Sequence, residues 1–150
     1  MIRTLLLTAA VTATAASAAP ADWHPDTIVW QQTNADGTRF ALLEAVRDRP
    51  GVPFTYAFFI PAGVWDGPHS HGATVRVFVA SGALALGYGK ELDRAQARRF
   101  PTGSVLLVPA GAVHFDGATE DTVIIGTAIG PWSTDYVDRH ATPSAGMPPK

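Results

Sequence analysis

The stretch GVWDGPHSHGATVRVFVASG, residues 63–82, decides how the chain is to be read. His69 and His71 stand two apart, so on an extended strand both side chains leave from one face, with Cα atoms about 7 Å apart. Two imidazoles at that spacing can reach one ion. Pro68 just ahead fixes φ and has no N–H to offer a neighbouring strand, while Gly63 and Gly67 permit close backbone approach. Behind the pair, Arg76-Val77-Phe78-Val79-Ala80-Ser81 is a strand-like run closing on Gly82. A His-x-His by itself is more often structurally neutral than metal-binding.

Working outward, a second cluster follows at residues 103–114, GSVLLVPAGAVH, which places Gly103, Pro109, Gly111 and His114 at fixed spacing. This two-motif arrangement resembles the cupin superfamily. The resemblance runs from about Phe54 to Asp138 and is closest to small single-domain bacterial cupins, often exported. The phrases PAG before the histidine pair, VASG after it, PAGAVHF, and the late GPWSTDYVD carry it further. It implies an all-β fold, a cupin-type β-barrel or double-sheet jelly roll. In that fold His69, His71 and His114 converge inside the barrel on one divalent metal, with Fe(II), Mn, Ni and Zn not distinguished. The resemblance also implies a small-molecule ligand or substrate and a homodimer.

The departure from the family pattern is equally informative. The first motif normally carries a glutamate ligand, and the corresponding position here, after Gly72-Ala73-Thr74, is Val75, which cannot bind a metal. Glu44, Glu91 and Glu120 are the chain's only glutamates, and none lies inside either motif. Three consequences follow. One is a neutral three-histidine site, similar to those of some cupin dioxygenases and lacking the charge of the commoner two-His-one-carboxylate triad. Another is a relocated carboxylate: Asp116 is two residues after His114 and faces the same way if the strand continues. It would then be a ligand, an outer partner of a histidine or a general base. The sequence favours instead a strand-end Asp opening a turn at Gly117. The third is a non-catalytic barrel that has lost the metal and binds a small ligand or only dimerises, a structural role.

Composition agrees with this picture. The chain has 150 residues, 47% of them apolar, which is room for one domain with a core. Its net charge of −2 lacks the basic footprint of a nucleic-acid binder. With no cysteine, a metal must sit on His, Asp or Glu. Met1-Ile2-Arg3, an alanine-rich stretch and Ala16-Ser17-Ala18 read as a signal peptide over residues 1–18, giving a periplasmic or secreted product with no membrane anchor after cleavage at Ala19. The expected organisation is then N-terminal strands packing on the barrel (19–53), the barrel core (54–138) and a flexible tail (139–150).

All 14 Gly and 12 Pro lie beyond the leader, and between them strands are expected at 27–31, 39–45, 54–60, 74–80, 83–88, 104–108 and 122–129. Val105-Leu106-Leu107-Val108 and Val123-Ile124-Ile125 read as strands covered on both faces. One short polar helical candidate spans Glu91 to Arg99, with Arg98-Arg99 a solvated pair. Tyr56 and Phe58 share a face and, with Val75, are candidate pocket lining, core packing being the plainer reading of the two rings. Trp65 and Asp66 are placed in the loop before His69. If Val75 faces inward, Arg76 faces out. Trp132, Tyr136 and Val137 look like a segment covering a barrel edge or meeting a second subunit. Gly87-Tyr88-Gly89 is a hairpin feature, since no βαβ unit follows. Ser81, Ser104 and Ser133 lack nucleophile-elbow surroundings, and His24 and His140 are expected to be exposed.

Overall fold

Short runs of strand-forming residues punctuated by glycine and proline produce eleven strands in the described part of the chain. The computed structural model describes residues 20–138; the expected leader, the tail and His140 lie outside the described residues. In chain order the strands are β1 (Gln32–Thr33), β2 (Arg39–Glu44), β3 (Pro53–Ile60), β4 (Trp65–His71), β5 (Val75–Ser81), β6 (Ala83–Tyr88), β7 (Arg98–Pro101), β8 (Val105–Val108), β9 (His114–Ala118), β10 (Thr122–Ile129) and β11 (Thr134–Tyr136). They form two antiparallel sheets, β1-β2-β3-β10-β5-β8 and β11-β4-β9-β6-β7, the double-sheet jelly roll.

The core lies between the sheets. Phe54, Tyr56, Phe58 and Ile60 from β3, Val75, Val77 and Val79 from β5, and Leu84 and Leu86 from β6 pack together there. Their two-residue spacing is what a pleated strand needs to bury one face. Gly82 makes the β5–β6 turn at φ +72°, where an added Cβ would stand 2.3 Å from the Asp121 carbonyl oxygen. Glycine is required there on both counts. β2 stops at Glu44 because Ala45 turns into the left-handed region at φ 59°.

Three expectations need correction. The strand expected at 27–31 is not one: Pro25–Thr27 is a 3-10 turn, and regular pairing begins only at Gln32. Pro25 fixes φ and starts that turn, after which Ile28 and Trp30 cross the outer face of the larger sheet, packing with Ala41, Ala57 and Val123. The helical candidate is one 3-10 turn, Arg94–Gln96, capped by the Asp93 carboxylate, and Arg98-Arg99 belong to β7. Pairing with Leu86 and Ala85 wins over helical propensity there. Finally, β8 is not covered on both faces. It is an edge strand, and Val105 and Leu107 are 71% and 56% exposed. The N-terminal crossing reaches β10, where Val123 is buried as expected, but stops short of β8.

Candidate metal centre

The smaller sheet carries the chemistry on its inner face. His69 on β4 lies directly opposite His114 on β9, flanked by Tyr136 on β11 and Tyr88 on β6, so one row crosses four strands. His71, two residues on, shares that face. The row behind it holds Asp66 opposite Asp116.

A bulge makes this possible. Between Asp66 and His69 the pairing register shifts, so three steps along β4 match two along β9, from Asp116 to His114. In a regular strand residues three apart point to opposite faces; the extra residue restores Asp66 and His69 to the same one. Gly67 and Pro68 supply it, Pro68 lacking the N–H that a regular ladder would use.

The three imidazoles converge. Ring centroids are 4.3 Å apart for His69 and His114, 4.9 Å for His69 and His71, and 5.0 Å for His71 and His114. One nitrogen from each lies within 4.8 Å of the others. Two bonds of about 2.1 Å span about 4.2 Å, so small side-chain movements suffice to put all three on one ion. The donor set fits a divalent cation in protonation too. His69 Nδ1 donates to the Gly67 carbonyl at 2.7 Å and His114 Nδ1 to the Ala112 carbonyl at 2.9 Å. A carbonyl only accepts, so each Nδ1 carries the hydrogen and each Nε2 presents its lone pair.

Electrostatics favour the neutral forms of His71 and His114. Burial, then the neighbouring His69 and His114, pull His71 down to about 2. Burial and His69 also lower His114, against the opposite pulls of Asp116 and the Ala112 carbonyl. His71 is wedged further by Trp132, whose ring lies 4.2 Å away, and its Nδ1 is 3.4 Å from Thr134 Oγ1.

Asp116 is not a strand-end residue opening a turn. β9 runs on to Ala118, because Gly117 is an ordinary ladder position that lets the Trp65 ring lie against the strand. Its Oδ2 is 3.9 Å from His69 Nε2 and 4.0 Å from His114 Nε2. Nor are Trp65 and Asp66 in a loop: both are in β4, and Asp66 is 5% exposed. Its carboxylate accepts from the Tyr136 hydroxyl and from the Gly67 N–H, each at 2.9 Å, and lies 3.7 Å from His69 Nδ1. Burial, then the charge of Asp116, push Asp66 up to about 6, while His69, Tyr136 and Gly67 hold it from going higher. Burial and Asp66 push the Tyr136 phenol up in turn.

Of the expected lining residues, Val75 faces the core at 2% exposure, with Arg76 outward as parity requires. Phe58 is part of the packed interior. Tyr56 is nearer the chemistry: its ring packs against Trp132 at 5.9 Å, and burial followed by the charge of Asp116 pushes its phenol up. Gly126 on β10 makes room for that ring, since a Cβ there would stand 2.2 Å from it. Sequence parity alone missed Asp66 and the support given by Tyr136 and Trp132. The Gly67-Pro68 pair was the available signal for the bulge, and β11 covers the β4 edge, one of the two roles expected of that segment.

No family model and no curated protein matches the chain. Solved structures do. A cupin-like protein from Thermotoga maritima is 20% identical, with 76% of this chain covering 92% of that one at a TM-score of 0.59. The polyketide cyclase RemF from Streptomyces resistomycificus is 15% identical, covering 81% of this chain and 87% of its own, with a TM-score of 0.63. A salicylate 1,2-dioxygenase mutant from Pseudoaminobacter salicylatoxidans, in complex with gentisate, is 15% identical with a TM-score of 0.58. It covers 71% of this chain, which spans 31% of the dioxygenase. What these proteins share with the chain is the fold.

Proposed function

From the cupin fold of this chain as premise, we propose that it binds one divalent metal ion through His69, His71 and His114 and acts as a dioxygenase-like oxidoreductase on a small organic molecule. The observation that carries the reading is the convergence of three imidazoles, two with their Nδ1 hydrogens committed to backbone carbonyls. A structural role for these histidines, two buried and one half-buried, does not need their nitrogens turned toward one another. The salicylate dioxygenase and its gentisate complex support a small-molecule ligand.

A divalent ion held there supplies Lewis acidity and, in the case of iron, electron exchange with dioxygen. The chain's own residues do the rest. The Gly67 and Ala112 carbonyls fix the tautomers of His69 and His114. Trp132 packs on the His71 ring, and Tyr56 from the larger sheet packs on Trp132 behind it. The Tyr136 hydroxyl holds its proton against Asp66, which steadies the outer side of His69.

The basic start and alanine-rich leader support export to the periplasm or beyond, and among the described residues no helix is long and apolar enough to cross a membrane. The exposed Phe78, Val105 and Leu107 on the outer face of β5 and β8 support a homodimer.

Metal analysis of the purified protein and of its His69→Ala variant tests the reading. About one ion per wild-type chain, lost in the variant, is expected; an empty wild type overturns it. Oxygen consumption with thiols, diketones and phenols then tests catalysis. Metal without oxygen uptake leaves a ligand-binding barrel and overturns the oxidoreductase reading.

A further inference from the structure

We propose that Asp116 is the fourth ligand of the metal centre, a carboxylate moved from the first motif to the second; the inference rests on the three histidines being ligands. The position where the resembled family carries its glutamate is Val75, whose side chain is buried among apolar residues. No carboxylate reaches the centre from β5. On β9 the geometry supplies one. Asp116 follows His114 by two residues, so the pleat turns both inward, and its Oδ2 stands 3.9 Å and 4.0 Å from the Nε2 atoms of His69 and His114. Those separations are too long for hydrogen bonds, yet shorter than the about 4.2 Å that two metal–ligand bonds can span. Small side-chain movements, of the kind the three histidines themselves need, bring all three atoms onto one ion.

The neighbouring row supports the same conclusion. Asp116 lies directly opposite Asp66 across the β4–β9 ladder, and like charges directly opposite are unfavourable. Asp66 is accounted for by the Tyr136 hydroxyl and the Gly67 N–H. What Asp116 faces is the two imidazole Nε2 atoms, which carry lone pairs and no hydrogen to give it. Two lone pairs and a carboxylate oxygen directed at one another form a cage for a cation, not a self-sufficient polar cluster. With Asp116 the donor set becomes three nitrogens and one oxygen, and one positive charge remains from a divalent ion in place of two. The lower residual charge weakens the pull on anionic small molecules relative to a bare three-histidine site.

Cobalt(II) loading decides this. Wild type, His69→Ala, Asp116→Ala and Asp116→Asn are titrated with cobalt against a competing chelator, with the visible ligand-field bands recorded and folding checked by circular dichroism. The expected result is that wild type loads, His69→Ala does not, and both Asp116 variants lose at least the about 10- to 100-fold in affinity that even outer partners of a ligand are worth, with shifted bands. Asn keeps the shape of Asp, so its loss cannot be assigned to misfolding. Loading of both Asp116 variants with wild-type affinity and spectrum overturns the role of Asp116 while the three-histidine centre stands. Failure of wild type itself to load overturns the centre and this inference together.

Discussion

The indole of Trp132 lies on the imidazole of His71, with ring centroids 4.2 Å apart and planes inclined by 32°. Trp132 also meets Phe54 edge-on at 5.7 Å and Tyr56 at 5.9 Å, so the residue that fixes His71 is itself fixed by the core. Trp132→Ala is expected to cost about 3–5 kcal/mol in stability and to weaken metal binding by about 10-fold or more. Trp132→Phe should keep most of the stability. Chemical denaturation and chelator competition on the two variants check the pair of effects separately.

Tyr136→Phe removes one hydroxyl and leaves the Asp66 carboxylate with its Gly67 bond. Loss of a donor to a buried charged group is expected to destabilise by about 1–3 kcal/mol. The Asp66 carboxyl should titrate higher than in wild type, because the Tyr136 hydrogen bond holds it down. Denaturant midpoints and the carboxyl carbon-13 shift read the two consequences.

The metal-free protein should lose stability as pH falls below about 6.5. His71 and His114 have folded values below their unfolded ones, so the unfolded chain binds more protons there and stability rises with pH. Asp66 acts in the opposite sense between 3.8 and about 6, where the folded state binds more protons. His71, lowered to about 2, offsets Asp66 across that window, and the lowered His114 adds to His71 in the same sense, so the loss of stability begins between about 6.5 and 6. Urea midpoints at a series of pH values in the presence of chelator test this, and His71→Gln should flatten the curve.

Val75→Glu returns a carboxylate to the position where the resembled family carries one. Without metal it buries a charge in the core and should destabilise by several kcal/mol. Added divalent ion should raise its melting temperature more than that of wild type, since ligand binding stabilises in proportion to affinity. Thermal melts with and without cobalt make the comparison.

Leu107 and Val105 lie on an edge strand free of charge and proline, the features that guard such edges. If two copies associate through this face, Leu107→Lys should yield monomers at concentrations where wild type is dimeric. Its effect on monomer stability should be small, about 0.5 kcal/mol or less, because the side chain is exposed. Sedimentation velocity distinguishes the two states.

Much of this was legible in the residues. Period-two spacing placed His69 and His71 on one face, and the second motif brought His114 to join them. The strands over Phe54–Ile60, Ala83–Tyr88 and Thr122–Ile129 followed from glycine-bounded apolar runs. Asp66 was not legible, because its orientation depends on a register shift against another strand, and no single strand's pattern contains its partner. The same holds for β8: whether an apolar run is covered on two faces depends on how far a distant segment reaches. Arg98 and Arg99 were misplaced because strand pairing with β6 overrode a polar, helix-like local sequence.

The bulge at Gly67-Pro68 sets the phase of β4, much as a reading frame sets codons. Deleting one residue between Asp66 and His69 would change none of the three clustered histidines, yet it would restore strict alternation and turn either Asp66 or His69 out of the barrel. Insertions and deletions at this point therefore act as frameshifts in space, and a length-variant scan across residues 66–69 should leave the apolar core intact while abolishing the centre.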